Sequence, residues 1–589
     1  MCEGDFSIAE LFELYKDYND VFKSLYRLNT YNEDEIDKIY TDIKTKLIET
    51  NLRSPKYIIE NSINAAVVYN NRYLMSYFRI FEKIKEDYHL ENIERIIPGL
   101  DKLVYEKYGF CYNPKKRFKH ISFDYLDKNS IYKSIMDDDI KSFISFTETT
   151  DFDINQVIYD FLNPRVMYYE NTYSYLELCC YYGAARCFKF LRTKFNAEIN
   201  ENCLNYSFLG GNPEIMSECL KVVQPNANTM RYAIISHNID FVSFLVNEYN
   251  LPVDSHYYYD YDNLEAFFIT LDHDKNFKER LCDAMHFRIP SLCKYFILHG
   301  ADLNQRDHFC NDGGYPIHLA VQYNMKEIVE LLLSHHVSIE CETLIKVVKP
   351  IEIAVDEKNI EIIELLLSYG AKPTAKSLDL AIYRNSKEIV EILISHGANV
   401  NEELHRFNML SSAVFRGHKE IAELLISHGA DIDKQNKNGD SALQLAAQEN
   451  KPEIIDLLIS HGAKFDGIDH NGNNVLFYAA KYNDLERVKL YISHGIDINA
   501  KINGQTALFA AVQGNGFEVA ELLISSGANV NERDASMNTP LHFAAKLHSS
   551  DITHLLISHG ADIDAVNNLG QTPVSKAIAD VLSDIDLIL

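Results

Sequence analysis

Leu424-Leu425-Ile426-Ser427-His428-Gly429-Ala430-Asp431-Ile432-Asp433 returns unaltered as Leu555-Leu556-Ile557-Ser558-His559-Gly560-Ala561-Asp562-Ile563-Asp564. Its glycine keeps a period, because the steps from Gly397 to Gly429, Gly462, Gly495, Gly527 and Gly560 are each 32 or 33 residues. Gly370 lies 27 residues before Gly397, and 70 residues, two periods, separate Gly300 from Gly370, with His336 where the middle glycine belongs. A fixed period of this length marks stacked supersecondary units, none of which can bury its apolar face alone.

Each part of the unit has a physical task. Glu420 to Ile426 places apolar side chains on one helical stripe and acids on the other. The glycine after Ser-His stops that helix with a left-handed residue. The histidines before it, at 299, 396, 428, 461, 494 and 559, sit in the last helical turn, where an imidazole bonds orphan carbonyls and complements the dipole. They stand a whole repeat apart, too far for shared ligation of a metal. Pro316, Pro350 and Pro540 occupy first turns, where a missing N–H costs nothing, and Ala446-Ala447 and Ala544-Ala545 let helices approach closely.

The opening of the unit is clearest in Asn538-Thr539-Pro540-Leu541-His542-Phe543-Ala544-Ala545, with weaker copies at Tyr315-Pro316-Ile317-His318, Ser441-Ala442-Leu443-Gln444, Asn474-Val475-Leu476-Phe477 and Thr506-Ala507-Leu508-Phe509. Period and wording together resemble the ankyrin-repeat family from about residue 300 to the end. The resemblance implies an all-α solenoid of helix-turn-helix units with β-turn fingers, and a non-enzymatic scaffold that holds a protein partner on a concave face of fingers and first helices. Under it, the expected contact residues are Arg406, Asn436, Asp469, His470, Asn503 and Met537 at finger tips, and Leu445, Tyr478 and Phe543 in first helices. His318 and His542 become structural positions. Lys372-Pro373-Thr374-Ala375-Lys376 replaces a full finger, and Ser338 to Thr343 makes the preceding junction irregular.

Upstream the period blurs. Tyr175 to Leu191 and Met230 to Val246 read as degenerate two-helix units, with cysteines at small or apolar positions. Phe6 to Leu28, Glu33 to Thr50, Lys56 to Asp87 and Leu90 to Tyr108 carry helical spacing without the repeat, with stop signals at Asn29-Thr30 and Pro98-Gly99. The expected organisation is an α-helical domain over 1–130, degenerate repeats over 131–300, and a regular array with a C-terminal cap over 301–589. This arrangement is similar to expanded ankyrin families of parasitic protists, and it leaves room for a second reading: an adaptor whose N-terminal domain recruits an effector while the repeats select the target.

The 589 residues are 47% hydrophobic and carry a net charge of −28, so the chain should fold, repel nucleic acid and anionic membranes, and favour a basic protein partner. Eleven cysteines without a CxxC pair fit reduced thiols, and Met1 to Phe6 lacks the start of a secretory signal, so the expected location is the cytoplasm. Lys115-Lys116-Arg117-Phe118-Lys119 reads as a solvated linker or a nuclear import signal. No catalytic residues, cofactor or metal are expected. Asp151 to Leu162 starts like a calcium loop but has Gln156 for the required glycine, Gly514-Asn515-Gly516 lacks a third glycine, and Cys282, His286, Cys293 and His299 lack zinc spacing. Asn205-Tyr206-Ser207 matches a glycosylation acceptor only formally. Oligomeric state and partner identity are not written in the residues.

Overall fold

The computed structural model describes residues 7–113, 130–149, 152–156, 158–159, 172–307, 313–465, 467–501 and 504–575. The chain forms two compact units, Met1–Leu332 and Leu333–Leu589.

In the first unit, helices Ile8–Leu14, Lys16–Tyr26, Glu33–Ile43, Leu74–Asp87 and Pro98–Tyr108 precede a series of helix pairs. The expected helix from Leu90 to Tyr108 begins only at Pro98. Proline at the first helical position has no N–H to lose and a helical φ already set, so it starts this helix instead of ending one. The expected helix from Lys56 to Asp87 is interrupted at Asn70, whose φ of −148° breaks the ladder, while its side-chain amide donates to Leu28 O at 2.6 Å.

The degenerate units are pairs: Tyr175–Tyr182 with Ala185–Lys194, Glu201–Gly210 with Pro213–Leu220, Ala227–Ile235 with Ile239–Tyr249, Ser255–Asp260 with Leu264–Asp274, and Leu281–His286 with Pro290–Leu298. Ser174 opens the first of them with a capping box closed by Glu177. First helices stack on first helices. Gly183 and Gly210 allow that approach, because a Cβ on Gly210 would stand 2.6 Å from the Gly183 nitrogen. Cys179, Cys180, Cys187, Cys203 and Cys219 are free and buried in the same stack.

The N-terminal helices pack onto these repeats. Phe12 meets Phe268 edge to face at 5.2 Å, Tyr26 stacks on His237 at 4.3 Å, and Tyr181 donates to Val68 O at 3.1 Å. At the centre, Asp262 accepts from Arg53 Nε at 3.2 Å and Nη2 at 3.0 Å, from Tyr57 at 3.1 Å and from Ser62 at 2.9 Å. Arg53 also donates to Phe287 O at 2.6 Å, and the two charged side chains are 3% and 1% exposed. Such a pair persists in a dry interior only with every hydrogen-bonding site occupied.

The second unit is regular. Its pairs run from Pro350–Asp356 with Ile360–Ser368 to Pro540–Lys546 with Ser550–Ser558. Prolines stand at the first turns of Pro350–Asp356 and Pro540–Lys546. Gly397, Gly429, Gly462, Gly495, Gly527 and Gly560 all have φ between 78° and 103°. The preceding histidines behave as helix ends require: Nδ1 of His396, His428, His461 and His559 lies 2.9 Å from the carbonyl four residues back. Between Ser368 and Ala375 the finger is missing, and Thr374 caps the next helix directly. Among the described residues no helix is long and apolar enough to cross a membrane.

Candidate protein-binding face

A finger is held open by the first residue of its turn. Asn436 Oδ1 accepts the N–H groups of Asn438 at 2.9 Å and Asp440 at 3.0 Å, and Asp469 Oδ1 accepts those of Asn471 at 2.9 Å and Asn473 at 2.7 Å. Asp534 and Asn567 repeat the arrangement in later fingers. These are side-chain mimics of backbone turns. The fourth position of each turn is left-handed: Gly439, Gly472 and Gly570 have φ of 95°, 76° and 70°, and Met537 takes the same place at 62°.

Neighbouring fingers are stitched through the fourth residue after the Ser-His-Gly glycine or its equivalent. Asn401, Asn499 and Asn531 each donate to the glycine carbonyl of the next repeat at 2.9 to 3.0 Å and accept the N–H two residues beyond that glycine at 2.8 Å. Asp433 fills the position in another repeat and makes only the accepting half, from Lys464 N–H at 3.0 Å.

The expected contact residues separate on this frame. Asn436 and Asp469 are buried inside the fingers rather than at their tips, because their side chains are spent on the turns. Leu445 and Tyr478 are buried as well, since the first helices are enclosed by both neighbours and by their own second helices. The Tyr478 hydroxyl donates to Asp469 at 2.6 Å, and burial, then that bond, push its pKa up to about 12. Phe543 is half-buried and meets Phe509 edge to face at 5.7 Å. Arg406, His470 and Met537 are exposed. Asn503 and Lys115 to Lys119 lie outside the described residues, as does part of the Asp151 to Leu162 segment.

The surface that remains contains side chains the sequence did not single out. First helices end on exposed rings: Tyr383 is 59% exposed, Phe415 37% and Tyr482 39%. Arg416 lies 5.3 Å over Tyr383, Arg406 lies 4.7 Å over Phe407 and 5.6 Å over Phe415, and Arg384 pairs with Asp356 at 2.6 Å. Guanidinium groups over ring faces keep both flat and presented. Tyr383 and Arg384, Phe415 and Arg416, and Lys481 and Tyr482 occupy matching places in their repeats, which is the signal that would have found them.

Other clusters have structural partners. Asp440, Asp469 and His470 stand together, with His470 donating its backbone N–H to Asp440 at 2.7 Å and its ring at 2.9 Å. His286 lies between Tyr323 at 2.8 Å and Asp307 at 3.1 Å, while His299 meets Tyr295 O at 2.7 Å and Cys282 faces Gln305 O. His542 accepts the Thr539 N–H at 3.1 Å and reaches Gln571 O at 3.1 Å.

These units of two antiparallel helices and a turn-built finger, stitched finger to finger, define an α-solenoid of repeats. A family model described as ankyrin repeats (three copies) matches residues 281–377, 378–436, 410–502, 443–534, 476–567 and 510–584, more than half of the chain, and the chain belongs to the ankyrin-repeat family. Residues 195–270 match a domain of unknown function, DUF3447. Among solved structures, the human ASB11 ankyrin repeat domain is 23% identical, with a TM-score of 0.31, over 35% of this chain and 96% of that one. The ankyrin repeat domain of Bcl-3, a member of the IkappaB protein family, is 24% identical, with a TM-score of 0.30, over 36% of this chain and 98% of that one. No curated protein matches the chain. Ankyrin repeats are a protein–protein interaction module.

Proposed function

We propose that the chain is a non-enzymatic scaffold in the cytoplasm that holds a protein partner on the finger and first-helix face of its second unit. The observation that carries this reading is the row of exposed side chains, Tyr383, Arg406 and Phe415, which are not needed to close the core. Aromatic and arginine side chains dominate the energetics of protein interfaces. The net charge of −28 favours a partner with a basic surface through steering. Tyr383→Ala, Arg406→Ala and Phe415→Ala together should lower recovery of the partner in affinity purification with mass spectrometry while leaving the melting temperature in place. Unchanged recovery would remove this face from the proposal.

The separate compactness of Met1–Leu332 favours a second reading, in which that unit recruits an effector. Here the recruiting surface belongs to N-terminal helices and degenerate repeats together, since Arg53 and Asp262 join them. A chain cut to 1–332 that captures its own distinct protein would support it, and one that captures nothing would leave the scaffold alone.

A further inference from the structure

A cavity of about 290 Å³ lies where the N-terminal helices meet the ends of Tyr175–Tyr182, Glu201–Gly210 and Ala227–Ile235. Its wall includes Tyr26, Arg27, Asn29, Arg72, Tyr182 and Gly211. Arg72 is fixed by one edge: Nη2 donates to Tyr182 O at 3.3 Å and to Met136 O, and the guanidinium lies 5.3 Å over the Tyr182 ring. Its Nε is buried and has no hydrogen-bond partner among the described residues, and the same holds for the hydroxyl of Tyr26. Burial keeps the Tyr26 phenol protonated. Arg27 stands exposed on the same wall, and among the described residues neither arginine pairs with a carboxylate.

The arginine groups can only donate, while the Tyr26 hydroxyl can donate or accept. An arginine Nε–H has no acceptor capacity, and buried polar groups left alone are costly enough to call for a partner. What Arg72 lacks is therefore an acceptor, and two guanidinium groups on one wall select an oxyanion over a neutral one through charge-assisted, forked hydrogen bonds. An adjoining cleft shares Arg27 and Asn29 with the cavity and adds Lys23 and Lys38, beside Glu35 and Asp42. Four bases, Arg27, Arg72, Lys23 and Lys38, thus line the cavity and its cleft, with Glu265 close enough to Lys23 and Arg27 to interact with their charges.

We propose that this cavity binds a small oxyanion, the phosphate or carboxylate group of a compact molecule, held between Arg27 and Arg72. The test uses the full chain, with inorganic phosphate, pyrophosphate and malonate as probes at constant ionic strength, read by titration calorimetry and by the melting temperature. One of the three should bind saturably at one site and raise the melting temperature with concentration. Preference for pyrophosphate or phosphate identifies a phosphate ligand, and preference for malonate a carboxylate. Arg27→Gln, an exposed change, should weaken that binding about tenfold or more, the loss of one charge-assisted bond, with the probe-free melting temperature unchanged. Asn29→Asp, which puts a carboxylate into the wall, should abolish it. Absence of saturable binding by all three probes, or equal affinity in Arg27→Gln, would overturn the proposal and leave water as the acceptor.

Discussion

Asp262→Ala tests what joins the N-terminal helices to the repeats. In the wild-type chain the carboxylate accepts two bonds from Arg53 and one each from Tyr57 and Ser62, with Tyr18 at 3.3 Å. Its removal leaves the Arg53 guanidinium at 3% exposure without a counter-charge. Breaking a buried pair from one side costs about 3–5 kcal/mol. Unfolding entropy of roughly 2.1 cal/mol/K per residue over the 332 residues of this unit makes each kcal/mol worth about 1.4 °C. The expected drop is thus on the order of 4–7 °C, confined to the first unit. Hydrogen exchange should quicken in Lys16–Tyr26 and in the helices after Ser54, while the second unit is unaffected. Arg53→Met combined with Asp262→Leu should recover much of the loss, because a dry apolar pair has no charge to strand. An Asp262→Ala chain that melts and exchanges like wild type would refute the argument that this ion pair clamps the unit.

Other substitutions probe the fingers and the acid stability of the first unit. Asn531→Ala removes the bonds to Gly560 O and from Asp562 N–H and should destabilise the second unit by about 1–2 kcal/mol in denaturant titration. Asn531→Asp, which keeps only the acceptor, should lose roughly half as much. Met537→Gly should raise stability by about 0.5–1 kcal/mol, because the left-handed backbone at φ 62° costs an L-residue more than glycine loses in chain entropy. His237 is buried with Nε2 2.8 Å from Tyr261 O, and burial pushes its pKa down to about 3. The unfolded chain takes up this proton near pH 6.5 and the folded chain only near 3, so the unfolded state holds more protons between. Stability should therefore fall as pH drops through that window, and His237→Gln, which can still donate to Tyr261, should flatten the acid limb; an unaltered acid titration would disprove the burial argument.

The repeating array was legible because its signals are local. The Ser-His-Gly phrase states where a helix ends, and the structure uses the histidine and the glycine as helix ends use them. Pro98 was misleading because proline ends helices and also opens them, and only the packing of the residues on its C-terminal side decides between the two. The buried role of Asn436 and Asp469 was written in the residues, since Asn436-Lys437-Asn438-Gly439 and Asp469-His470-Asn471-Gly472 both place a turn-forming side chain three residues before glycine. Burial of Leu445 and Tyr478 depends on how tightly repeats stack, which no single repeat records. The Arg53 and Asp262 pair was out of reach because 209 residues separate the partners.

That separation also fixes an order of events in synthesis. At about 5–20 residues per second, some 10–40 s pass between the emergence of Arg53 and that of Asp262. Throughout that interval the nascent amino-terminal helices carry a cation, and the aromatic surface around it, destined for an interior whose other wall has not been made. Translation speed across the degenerate repeats, and whatever shelters the waiting segment at the ribosome, therefore bear on the yield of this protein.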